Sequence, residues 1–148
     1  MKDMMSMMYK PTSTQTCPKC RKRSKGNRLR RAIIDRNHHV PEIAGYNMDG
    51  SVLYIDKRLP ATMAGVDVDS ALEVHEEVEN ALEYRLGFSY PHAHMMAEAA
   101  EQCFVEAHGG NWAAYDKEMQ AWIKKLENNY DKSEVPEDLI NPNEVKGK

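Results

Sequence analysis

The chain has 148 residues, with 20 Lys+Arg against 23 Asp+Glu for a formal net charge of −3. That length supports one hydrophobic core and leaves little room for a second. A hydrophobic fraction of 41% suits such a core, while a mean hydropathy of −0.71 and no long apolar run exclude a transmembrane helix.

The near-neutral total conceals a division. Residues 1–39 carry 11 Lys/Arg and 2 Asp/Glu, a balance of +9, whereas residues 40–148 carry 9 and 21, a balance of −12. The sequence therefore reads as a basic arm over 1–40, an acidic domain over 41–130 and an extended, mostly solvated tail over 131–148 with Pro136 and Pro142. Five methionines among the first eight residues lack the basic flank, apolar stretch and small-residue cleavage site of a secretory signal. Three cysteines do not make a disulfide framework, so a reducing, cytoplasmic compartment is expected.

In the arm, Cys17-Pro-Lys-Cys20 has the spacing of half a structural zinc site, because a tight turn brings two thiolates to one point. A zinc knuckle and a redox pair share this spacing. The basic run over 19–36 suits phosphate backbones, which makes nucleic acid a candidate partner. No aromatic residue lies between Cys17 and His39 to stack on single-stranded bases, and a flexible, solvated arm is the competing reading.

The acidic domain begins with two β-prone runs, 42–46 and 51–56, flanking Asn47-Met48-Asp49-Gly50, where Asp-Gly is a turn signal; the pattern predicts a hairpin. Residues 66–69 predict one more short strand, after which Asp69 or Ser70 offers an oxygen to cap a helix. That first helix is expected over 70–86, stopped by Gly87. A second follows over 91–108, ended by Gly109-Gly110, and a third over 111–129. Trp112, Tyr115, Met119, Trp122 and Leu126 step by three and four along the third helix, an amphipathic stripe that faces a core. The expected fold is α+β, a hairpin packed against three helices.

Turning the first helix by about 100° per residue places His75 and Glu79 amid Ala71, Leu72, Val78, Leu82 and Leu86, with Glu76 at the edge of that stripe. An ionised carboxylate on a buried face needs a cation, a metal or a proton. Two donors one turn apart can close on a single metal ion, and a hydrogen-bonded core pair is the alternative. On the second helix His94 and Glu101 border an apolar arc. Antiparallel pairing across the turn at 87–90 would let His75, Glu79, His94 and Glu101 line one cleft. Glu98, His92 and His108 are expected at the surface.

Val74-His75-Glu76-Glu77-Val78-Glu79 followed by Tyr90-Pro-His-Ala93-His94, Ala97 and Glu101 resembles a family of small metallopeptidases found in phages and prophages. Ile43-Ala-Gly-Tyr46 and Tyr54-Ile-Asp-Lys-Arg-Leu-Pro60 extend the resemblance, which covers roughly residues 41–127. It implies a minimal zincin-like domain, encoded by a phage or prophage and acting in the bacterial cytoplasm on a peptide or protein. Zinc would be held by His75, Glu79 and His94. Glu76 would be the general base, and Glu101 a further ligand or the carboxylate that orients His94. The sequence departs from the zincin pattern in carrying Glu79 where a second helix histidine is expected; two histidines and a glutamate remain a catalytic zinc set.

Two other readings use the same residues. Glu76-x-x-Glu79 and Glu98-x-x-Glu101 on consecutive helices resemble the Mg2+-dependent all-α nucleotide pyrophosphatases, whose hard cation prefers oxygen ligands. A non-enzymatic adaptor with a nucleic-acid-binding arm would keep His75 and Glu79 as a satisfied core pair.

Overall fold

The computed structural model describes residues 31–140. The hairpin forms as expected. Strand β2 (Ala44–Tyr46) pairs antiparallel with β3 (Val52–Ile55), placing Ala44 opposite Ile55 and Tyr46 opposite Leu53. Asn47 Oδ1 accepts the Val52 N–H at 3.0 Å, and Gly50 closes the turn at φ 77°, a left-handed value that glycine adopts without strain.

A strand that the charge pattern did not suggest completes the sheet. β1 (Ile33–Asp35) runs parallel to β3, giving the order β1-β3-β2. This strand lies in the span expected to be arm, and the chain from Ala32 onward belongs to one unit. The basic residues around it obscure the short run Ala32-Ile33-Ile34, of which Ala32 and Ile34 pack against the core. Arg36 is likewise committed internally. Its guanidinium donates to the Asp56 and Pro60 carbonyls at 2.6 and 3.1 Å and pairs with Asp69 at 3.0 Å. The remainder of the 19–36 basic run up to residue 30, with Cys17 and Cys20, lies outside the described residues.

A second hairpin, β4 (Thr62–Met63) and β5 (Val66–Asp67), turns through Ala64 and Gly65, both at positive φ, and feeds directly into helix α1 (Val68–Asn80). The cap is Asp67, earlier than expected; its carboxylate accepts the Ser70 N–H at 2.9 Å. Beyond Asn80 the helix widens into a π-helical turn, Ala81–Arg85. The expected face fails there, because a wider turn no longer advances by 100° per residue. Leu86 is 65% exposed instead of buried.

Helix α2 (Tyr90–Ala107) opens with Pro91 in its first turn, where no intrahelical N–H is needed. It packs on α1 more extensively than any other two elements pack together. The chain then turns at Gly110, where a Cβ would overlap the side chains of Val66 and Val105, so glycine permits the close approach of this turn to β5. Helix α3 (Trp112–Leu126) follows, capped by Asn111. Tyr115, Met119 and Leu126 are buried, and Trp112 and Trp122 pack at the margin.

The core joins Leu53 and Ile55 of the sheet, Met63 and Val66 of the second hairpin, Ala71 and Leu72 of α1, Val105 of α2 and the α3 stripe. Each large side chain so buried is worth roughly 1.5–3 kcal/mol. The described part of the tail is exposed or half-buried, and residues 138–140 fasten it to the body. Asp138 accepts from the Tyr54 hydroxyl at 2.8 Å, the Ile140 N–H donates to the Tyr46 carbonyl at 3.0 Å, and Leu139 covers Gly45. Residues 138–140 thus line the outer edge of β2. Sequence reading missed this because the partners are more than 80 residues apart. Among the described residues no helix is long and apolar enough to cross a membrane.

Candidate metal centre

Helices α1 and α2 bring His75, Glu79 and His94 to one place. The i,i+4 spacing sets His75 and Glu79 one turn apart on the buried face of α1, and packing of α2 presents His94 opposite them. His75 Nε2 lies 3.3 Å from Glu79 Oε2, and His94 Nδ1 lies 2.8 Å from that same oxygen. One donor atom from each residue falls within 4.8 Å of the others. Bonds of about 2.0–2.1 Å at tetrahedral angles would put zinc donors roughly 3.3–3.4 Å apart. The three groups therefore need only small side-chain movements to close on one ion.

The other nitrogen of His75 is engaged. Nδ1 faces Glu101 Oε1 at 2.8 Å, and the second oxygen of that carboxylate accepts the Tyr115 hydroxyl at 2.7 Å. With Nδ1–H donating to Glu101, the tautomer that offers Nε2 to a metal is favoured. Glu101, 5% exposed, therefore orients His75, not His94. His94 is held instead by ring contacts, stacked on Tyr90 at 5.5 Å and edge-on to His75 at 4.9 Å. Tyr115 reads from sequence as one more apolar position of the α3 stripe. Its role needs a partner on another helix, which periodicity does not reveal.

The electrostatics separate the three α1 residues by role. Burial alone would lower the His75 imidazolium, but hydrogen bonds to Glu101 and Glu79 outweigh it and lift the pKa from 6.5 to about 10. Burial alone would raise Glu79; its bonds to both histidines win and hold it near 2. Glu76 is half-buried and makes no hydrogen bond among the described residues, and burial lifts it from 4.5 to about 8 against the opposing pull of His75. A carboxyl poised near neutrality beside a metal site is suited to moving a proton.

These groups line a hollow of about 390 Å3 between α1, α2, α3 and the start of β2, with Trp112 and Met119 on its far wall. Glu98 borders it and is half-buried, less exposed than expected; His92 and His108 are exposed. At its rim Ile43 has φ 78°, an outlier for a β-branched residue, kept in place by its N–H to the Val40 carbonyl and its carbonyl to the Asp56 N–H. Strain of this kind is commonly held next to sites, where surrounding bonds enforce it. No protein-family model, curated protein or solved structure matches the chain.

Proposed function

We propose that this chain is a metal-dependent hydrolase of peptide bonds, with His75, Glu79 and His94 as ligands and Glu76 as general base. The convergence of those three donors, with His75 aimed by the Glu101–Tyr115 pair, carries the reading. Two imidazoles and a carboxylate make a catalytic zinc set, and a bound zinc supplies charge that polarises a carbonyl and acidifies water. The residues do the rest. Glu76 takes the proton of the attacking water and returns it to the leaving amine. Glu101 and Tyr115 keep His75 in one tautomer, and Trp112 and Met119 give the hollow an apolar wall.

A zincin-like arrangement, a relation to the phage and prophage metallopeptidases and a cytoplasmic location belong to the same proposal. Among the described residues Cys103 is exposed and forms no disulfide, which agrees with a reducing compartment. The magnesium reading is weaker on two observations. Glu101 is spent on His75 and Tyr115, and among the described residues no lysine or arginine lines the hollow to meet a triphosphate.

The test is hydrolysis of a mixed peptide library by the full chain loaded with zinc. Cleavage abolished by a chelator, and reduced about 10²–10⁴-fold by Glu76→Gln with zinc retained, is the expected result. Undiminished cleavage by Glu76→Gln removes the base assignment. Pyrophosphate release from nucleotides with Mg2+, in place of peptide cleavage, would move the site to the other hydrolase class.

A further inference from the structure

Residues 129–140, which follow α3, run as a strap to the β2 edge. The Met48 N–H donates to the Asp138 carbonyl at 2.8 Å, the Ile140 N–H donates to the Tyr46 carbonyl at 3.0 Å, and Asn47 pairs antiparallel with Leu139. The strap thus takes up backbone groups that an uncovered edge would offer to any extended chain. Leu139 lies over Gly45, where a Cβ would stand 3.1 Å from Leu139 Cδ1, so glycine leaves room for a branched apolar side chain.

The hold on the strap is polar and shallow. No residue from 127 to 140 is buried, and none belongs to the hydrophobic core. Arg58 donates to the Asn129 carbonyl, His39 Nδ1 accepts the Asp131 N–H at 3.0 Å, and Lys57 and His39 each meet Glu134 at 2.8 Å. Exposed pairs of this kind stabilise little, and segments with few buried apolar contacts open well before the whole fold does. What the strap covers adjoins the metal centre. Tyr130, Val135, Pro136, Glu137, Leu139 and Ile140 line a second hollow, of about 360 Å3, which shares Glu76 and Glu79 with the first.

We propose that the strap is a gate: it occupies in cis a docking edge for an extended polypeptide carrying a leucine-like side chain, and its release opens the hollow beside Glu76 and Glu79. A polypeptide that displaces residues 138–140 regains the same main-chain bonds to Tyr46 and Met48 and sets an apolar side chain over Gly45. Docking follows from the strand geometry alone, whereas its coupling to cleavage rests on the hydrolase reading. Tethered to the chain, the strap competes at a high effective concentration, so an outside peptide binds weakly until the strap is loosened.

The test is the anisotropy of a fluorescein-labelled peptide with the sequence of Glu134–Ile140, titrated with the full chain without added metal. Glu134→Ala/Asp138→Ala, which removes the Lys57, His39 and Tyr54 anchors, should bind it at least about tenfold more tightly than the parent chain does. Leu139→Ala, which keeps those anchors, is the second loosened variant. Methylating the amide nitrogen of the peptide's isoleucine, or replacing its leucine by alanine, should each weaken binding about tenfold. Equal binding by the parent and both variants, or indifference to the methyl group, overturns the gate. Unfolding of both variants overturns it too, since the strap would then be a fixed part of the fold. With zinc, the loosened variants should cleave a mixed peptide library about tenfold faster in kcat/KM. Tighter peptide binding in a chain that cleaves nothing keeps the docking edge and overturns the hydrolase reading. Zinc-dependent cleavage that loosening does not accelerate keeps the hydrolase reading and overturns the gate.

Discussion

Two buried carboxylates in this molecule solve one problem in different ways. Asp56, fully buried, accepts the Arg58 guanidinium at 2.8 and 2.9 Å and the backbone N–H groups of Val40 and Arg58 at 2.9 Å each. Its compensating cation is two residues away and never loses its proton. Glu79, nearly as buried, is compensated by two imidazoles, one of them on another helix. Imidazole can release a proton and take a metal, which guanidinium cannot. The first arrangement holds a loop against a sheet; the second has the chemistry of a site.

The comparison can be broken at several points. Asp56→Ala should cost most, about 3–5 kcal/mol in denaturant unfolding, because it leaves a partly buried guanidinium without its partner, and zinc affinity should be unchanged. The same cluster sets an acid dependence. Burial would raise the Asp56 pKa, but the hydrogen bonds from Arg58 and Val40 outweigh it and leave it below 3.8. Its contribution is therefore complete above the ordinary carboxylate range and is lost as pH falls through the lowered value. Asp56→Asn should flatten the acid limb of the stability curve, and an unaltered limb would show the pair to be inert.

Tyr115→Phe should have the next largest effect, weakening zinc roughly 10–100-fold in chelator competition, since it frees the carboxylate that aims His75. An unchanged affinity would reduce Tyr115 to a core residue. Smallest is Asp67→Ala. Losing the α1 cap should cost about 1 kcal/mol in thermal or denaturant unfolding and leave zinc binding intact, because the cap lies two turns from His75. Weaker zinc in that variant would show that the centre depends on the whole helix and not on the Glu101 relay.

Much of this contrast was legible in the sequence where interactions are local. The α3 stripe, the Asp49-Gly50 turn and the i,i+4 pair of His75 and Glu79 follow from period and spacing. Strand β1 did not, because its three residues pair in parallel with β3 from within a basic stretch. The π-helical turn at Ala81–Arg85 shifted Leu86 off the expected face, since a fixed angular step cannot anticipate a change of helix type. The tail's pairing with β2 and the link from Tyr115 through Glu101 to His75 join distant segments, and a single sequence carries no signal of them.

His75, Glu79 and His94 are proposed to hold one metal ion. Elemental analysis of the purified full chain beside His75→Ala and Cys17→Ser/Cys20→Ser tests it most directly. About one zinc per chain that survives the cysteine changes and is lost with His75 is the expected result. No zinc in the parent chain, or zinc retained by His75→Ala and lost with the cysteines, would contradict it.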